Sequence, residues 1–163
     1  MTPPTALIAR DVSRLPSRRD EDWRWTDLRG LIRELPPQAP AAPAPDGAGP
    51  FGDLGEAELV VVNGRPLGGA QALVLAAGER RTVRLRLVSV SLETAHGTTL
   101  AVSLGEGAHL TLLESHEGLA EDYVADIQLK IDLAAEARLD RVVLAQDGAL
   151  SVAVTQAHVD LAP

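Results

Sequence analysis

Leu75-Ala76-Ala77-Gly78-Glu79, Leu104-Gly105-Glu106-Gly107-Ala108 and Leu133-Ala134-Ala135-Glu136-Ala137 are three versions of one phrase, and their leucines fall 29 residues apart each time. Each phrase is a leucine followed by small residues, and each leads into another β-rich run. Small residues permit a tight turn between strands. A corner recurring at a fixed interval is what a coil of parallel strands needs if successive turns are to stack. The spacing predicts a mainly β protein built on a right-handed parallel β-helix of about three coils. An antiparallel sandwich, with turn signals roughly every 8 to 12 residues, is the competing architecture that periodicity leaves open.

Around these corners the pattern has period two. Ile127, Leu129, Ile131 and Leu133 face one way, and Asp126, Gln128, Lys130 and Asp132 the other. Strands are expected at 72–76, 82–92, 99–104, 108–114, 123–133, 138–145 and 150–161, with no helix among them. Ahead of them Glu58 to Val62, the turn signal Asn63-Gly64 and the short return Arg65-Pro66-Leu67 predict a small hairpin, because proline donates no ladder hydrogen bond. At the other end Val159-Asp160-Leu161-Ala162-Pro163 resembles Ile131-Asp132-Leu133-Ala134-Ala135, so the sequence stops as the next corner begins. Coils bury their faces only against neighbours, and an uncovered last coil invites pairing with another chain. The expectation is the front part of something longer, or one half of an interface.

The β-helix region is thus placed at 51–163, truncated at its C-terminal end. Residues 36–50 read PPQAPAAPAPDGAGP and hold six of the eleven prolines, a composition that favours extended chain and buries no core. This is read as a linker separating the β region from an N-terminal helical region, 1–35. There Ile8, Val12 and Leu15 recur at helical spacing, Pro16 stops that helix, and Ser17 caps a second with Asp20 three residues on. Trp25, Leu28, Ile32 and Leu35 then share a face expected to pack on the protein's own core, with Gly30 weakening the middle and Pro36-Pro37 ending the run. Both tryptophans, Trp23 and Trp25, lie here, against only Tyr123 and Phe51 elsewhere. Large aromatic surface concentrated in one short segment signals docking, on the fold or on a partner.

Composition narrows the function classes. A chain of 163 residues with 45% apolar residues fits one soluble domain, and no apolar run is long enough to cross a bilayer. The N-terminus lacks the order of a secretory signal, which makes a cytoplasmic location the default. Without cysteine there is no disulfide, thiolate ligand or cysteine nucleophile. The net charge is −8, and half of the fourteen arginines lie in the first 33 residues, nearly balanced there by acidic side chains. An acidic body repels phosphate backbones, so nucleic acid is not an expected partner.

The densest polar cluster is Glu114-Ser115-His116-Glu117, followed by Glu121-Asp122. Histidine with carboxylates is the raw material of metal or acid–base sites. Adjacent strand residues point to opposite faces, however, so His116 and Glu117 do not converge unless a loop bends them together, and a solvated loop is the favoured reading. His109 and His158 sit in strands beside apolar neighbours and are read as core or surface histidines. Ser115-His116 has neither a strained elbow nor a third orienting group. Gly64-Arg65-Pro66-Leu67-Gly68-Gly69 lacks the lysine and helix of a phosphate loop and reads as a turn. Arg84 and Arg86 alternate on one strand face, suited to an acidic partner or to solvent.

Arg18-Arg19-Asp20-Glu21-Asp22-Trp23-Arg24-Trp25-Thr26-Asp27-Leu28, with Val61-Val62-Asn63-Gly64-Arg65 and Leu110-Thr111-Leu112-Leu113-Glu114-Ser115-His116, resembles the SufD branch of the SufB/SufD family, scaffold proteins of iron–sulfur cluster assembly. The resemblance spans the chain apart from the Pro/Ala linker, which is shorter here, and it favours the β-helix over the sandwich. It implies partnership with SufB-like and SufC-like proteins, or with a separately encoded C-terminal half, and a role in protein interaction rather than turnover. The family's SufC-binding helices and its interface histidine and cysteine positions fall in a later part of the pattern that has no counterpart here. No catalytic, cofactor-binding or metal-ligating residue is therefore assigned, and no small-molecule substrate or membrane partner is expected. The alternatives are a carbohydrate-binding or carbohydrate-active β-helix, which the scarcity of aromatic platforms disfavours, and a degenerate fragment without independent function.

Overall fold

A computed structural model describes residues 10–162. Alternation of apolar and polar side chains drives nine strands into two sheets that share one core, with every pairing parallel except one antiparallel hairpin. The strands are β1 (Leu59–Val62), β2 (Arg65–Pro66), β3 (Ala72–Leu75), β4 (Arg80–Ser89), β5 (Ala95–Leu104), β6 (His109–Gly118), β7 (Val124–Leu133), β8 (Arg138–Gln146) and β9 (Val152–Leu161). Sheet A runs β3-β5-β7-β9 and sheet B runs β2-β1-β4-β6-β8. β1 and β2 form an antiparallel hairpin in sheet B, and from β3 onward successive strands alternate between sheets while each pairs in parallel with the strand one turn away. The result is a β-solenoid of about four turns, one more than the three corners in the sequence indicate.

The 29-residue interval is the ladder register itself: Arg80 pairs with His109, and His109 with Arg138. In sheet A Val124 pairs with Val152, an interval one residue shorter, and Leu133 with Leu161. Each corner also repeats a backbone conformation. Gly78, Gly107 and Glu136 hold φ of 69°, 65° and 56°, the left-handed region in which glycine escapes the Cβ clash and glutamate does not. On the opposite corner Glu93, Asp122 and Leu150 take φ of 52°, 51° and 60°. The phrase read from the sequence is a chain reversal that needs one left-handed residue per turn.

The core lies between the sheets. Val83, Leu85 and Leu87 from β4, Leu110 and Leu112 from β6, and Leu100, Val102, Ile127, Leu129 and Ile131 from sheet A fill it. Burying such a side chain contributes about 1.5–3 kcal/mol, so each added turn stabilises its neighbour chiefly through this layer.

The N-terminal region is only weakly helical. It holds 3-10 turns at Val12–Arg14 and Glu21–Trp23 and one short α-helix, Leu28–Leu31. Ile8 of the expected first helix lies outside the described residues. Asp20 accepts the backbone N–H of Ser17 at 2.8 Å, and Asp27 caps the short helix through the N–H of Gly30 at 2.9 Å. Leu15, Leu28 and Ile32 pack on Ala95, Val124 and Val154, on the outer face of sheet A, with Val12, Trp23 and Leu35 around them. Trp25 departs from the expected face: it precedes the helix and is 86% exposed, with the Arg24 guanidinium 4.8 Å from its ring centre.

The Pro/Ala-rich stretch is docked along the solenoid instead of hanging free. Ala95 donates to the carbonyl of Pro37 and accepts from Ala39, which is buried. The Asn63 side chain donates to Pro40 and Arg65 to Ala39, at 2.9 and 2.7 Å. Farther on Arg86 donates to Gly47, and Arg84 to Leu54 and Glu56. Together with the β1–β2 hairpin this strap covers the first turn.

Candidate functional site

The stretch expected to be a solvated loop is instead strand β6, and it is buried. Glu114 and Ser115 are fully enclosed, and His116 and Glu117 nearly so. The register explains the correction: Leu85, Arg86, Leu87 and Val88 of β4 pair with Glu114, Ser115, His116 and Glu117, so the run continues the ladder one turn on. Period two then splits it. Glu114 and His116 point inward with Leu110 and Leu112, whereas Ser115 and Glu117 face outward.

Each carboxylate meets an arginine from a neighbouring turn. Inside, Arg141 of β8 holds Glu114 through two hydrogen bonds of 2.8 Å, and His116 Nε2 lies 2.6 Å from Glu114 Oε1. Outside, Arg86 grips Glu117 at 2.9 and 2.7 Å, and Ser115 Oγ donates to Glu117 at 2.7 Å. Both pairs share one geometry. Arg141 stands opposite Leu112, with Glu114 two residues on; Arg86 stands opposite Ser115, with Glu117 two residues on. Burial pushes the Glu114 carboxyl up, but the hydrogen bonds of His116 and Arg141 and their charges outweigh it, so it stays below the usual range. The Glu117 carboxyl behaves likewise, its burial overcome by Arg86 and Ser115. Arg84 and Arg86 therefore meet their acidic partners within the chain, and Arg84 also reaches Glu58 at 3.4 Å.

This tract is built for cohesion. Ser115 donates to Glu117, whose carboxylate is already gripped by Arg86, and it is fully buried, so no substrate can reach its hydroxyl. Among the described residues no group of three or more His, Asp or Glu side chains is placed to hold a metal ion. His109 in β6 bridges Arg80 and Asp140, and the exposed His158 in β9 lies 3.4 Å from Asp160. Asp122 sits in the β6–β7 corner beside Glu121. Gly64 to Gly69 forms the hairpin turn, β2 and a 3-10 turn.

Two buried features carry no motif in the sequence. Asp126, on the outer face of sheet A, is fully buried, and its Oδ1 meets no hydrogen-bond donor among the described residues. Burial pushes its carboxyl up to about 7, against a smaller pull from Gln128. Facing inward near the corner, His96 contacts Ser89 Oγ at 3.1 Å and the Tyr123 ring at 5.9 Å, and burial, aided by the charge of Arg65, lowers it to about 4. The signal for both was alternation: Asp126 adjoins inward Ile127, and His96 lies one turn before Ala125.

The last turn differs from the others. β8 and β9 stand at the edges of their sheets. The inward-facing Val143, Val159 and Leu161 are 46%, 47% and 72% exposed, whereas Glu114 and Ile131, the counterparts of the first two, are buried. A separate groove of about 580 Å³ crosses the outer face of sheet A past Val74, Ser103, Asp132 and Asp160, and no aromatic side chain lines it. Among the described residues no helix is long and apolar enough to cross a membrane. Comparison with protein-family models, curated proteins and solved structures finds no match to this chain.

Proposed function

We propose that this chain is a SufD-like scaffold component of iron–sulfur cluster assembly that acts by protein interaction, pairing with a SufB-like partner through the edges of β8 and β9. One observation carries the reading. Both edges face the same end of the solenoid, and the apolar side chains that would line the next turn are exposed there. Edge strands with free ladder groups and an apolar flank are templates for strands of another chain. The sequence resemblance supplies the identity of that chain, and contact with a SufC-like ATPase then runs through the partner. The enclosed ion pairs support the same role, since they tie turn to turn.

The test is to mix the purified chain with the SufB-like protein of the same cells and measure association by analytical ultracentrifugation. A Val143→Asp/Val159→Asp variant places charges at edge positions that are 46% and 47% exposed. The expected result is a 1:1 complex with the native chain and none with the variant. Equal association of both, or none with either, would reject the edge-pairing role.

A further inference from the structure

The outer face of β4 carries Arg80, Arg84 and Arg86, separated by alternation. Arg84 and Arg86 are engaged by the strap carbonyls, Glu58 and Glu117. Arg80 is not. Among the described residues its guanidinium is bonded to the Nδ1 of His109, at 3.2 Å, while His109 Nε2 lies 2.7 Å from Asp140 Oδ2. With the ring proton on Nε2, His109 accepts from Arg80 and donates to Asp140, and so acts as a brace holding Arg80 over the sheet.

Beside this brace lies an open groove of about 280 Å³ lined by Arg80, Arg81, Thr82, His109 and Thr111. Register pairs Thr82 with Thr111 one row along from Arg80 and His109. Both guanidinium groups and both hydroxyls can donate hydrogen bonds, and no carboxylate lines the groove. Two nearby acidic groups already have cationic partners. Glu58 is held by Arg81 at 2.6 Å and by Arg84 at 3.4 Å, and Asp140 by Arg138 at 3.0 Å. Arg81 and Arg138 thus already have carboxylate partners, whereas Arg80 is bonded by none among the described residues, on a chain of net charge −8.

We infer that this groove binds a phosphate group. Donors from two strands about 4.8 Å apart line the groove, and charge-assisted bonds from guanidinium groups suit the oxygens of a phosphate. Paired arginines supply the charge-assisted bonds, and the threonine hydroxyls complete the cradle. The groove is open, so the phosphate arrives either free or on a phosphorylated side chain. The inference is independent of the edge-pairing reading, because the groove lies on the first turns and away from β9.

The test is a titration of the full chain, labelled with nitrogen-15 and followed by amide chemical shifts, with inorganic phosphate at constant ionic strength. Saturable shifts confined to residues 80–82 and 109–111, in the millimolar range, are expected. Arg80→Gln/Arg81→Gln should weaken them at least roughly tenfold while leaving other amides in place, and Thr111→Val should weaken them less. A phosphoserine peptide that saturates tenfold earlier than inorganic phosphate identifies a phosphoprotein as the source, and equal saturation identifies free phosphate. Shifts that rise linearly without saturating, survive the double substitution, or are matched by acetate would overturn the assignment.

Discussion

Replacing Arg141 by methionine should invert the pH dependence of the protein's stability. Glu114 is fully buried and keeps its charge because Arg141 grips both carboxylate oxygens and His116 contacts one. Methionine retains much of the arginine stem's volume but leaves Glu114 with a single partner. Breaking a fully buried pair costs about 3–5 kcal/mol. The Arg141 side chain is 23% exposed, which lets solvent screen part of that, so a loss of about 2–4 kcal/mol is expected at neutral pH. For a domain of this size that corresponds to roughly 6–12 °C in Tm. In the native chain the Glu114 carboxyl sits below its usual value, so its contribution is present above about pH 4.5 and is lost as pH falls through the lowered folded value. In Arg141→Met burial dominates and raises that value above the unfolded one. The variant then gains stability on acidification, as Glu114 takes a proton, and loses it as pH rises. The assay is urea unfolding of both proteins between about pH 4 and pH 8, with Glu114→Gln/Arg141→Met as the neutral control, expected to recover about half the loss. Parallel pH profiles for native chain and variant, or a neutral-pH loss below about 1 kcal/mol, would refute the account.

Asp126→Asn should stabilise at high pH. The Asp126 carboxyl is pushed up to about 7, so the folded chain binds a proton that the unfolded chain releases, and stability falls as pH rises from about 4 to about 8; the asparagine variant should lack this slope, read from Tm across that range. Leu150→Asn should raise stability by about 0.5–1 kcal/mol in urea, because Leu150 is exposed and held at a φ of 60° that asparagine tolerates better. Gly148→Ala should cost more than about 2 kcal/mol, since a Cβ there runs into the Ala120 carbonyl, and Tm would show it. Arg86→Met should release the strap carbonyl of Gly47 and strand Glu117, seen as faster proteolytic cleavage within residues 40–50 under native conditions.

What could be read in the sequence was whatever repeats in side-chain type. Leu75, Leu104 and Leu133 mark the turns because each fills the same core position. The alternation of Ile127, Leu129 and Ile131 with Gln128 and Lys130 identified β7 almost to its ends. The tract at Glu114 was misread because its polarity is satisfied by residues 27 and 31 positions away, Arg141 and Arg86, whose partnership appears only when the interval is applied as a register. Applied to the extents of β4 and β7, the same interval carries β6 to Gly118 and β5 back to Ala95. The strap left no trace because its attachments are backbone carbonyls, which every residue carries. Trp25 and Leu28 look alike on a helical wheel, but with the helix beginning only at Leu28 the wheel does not apply to Trp25.

The two ends of the solenoid are chemically unlike. The first turn is closed by β2, whose Pro66 donates no ladder hydrogen bond, by a β3 of only four residues, and by the strap. The last turn presents β8 and β9 uncovered. A body adhesive at both ends grows head to tail into a fibre; one adhesive at a single end has a valency of one. Among the described residues the capacity for strand pairing is therefore concentrated at one end of the solenoid, which gives the body a direction that its repeating interior lacks.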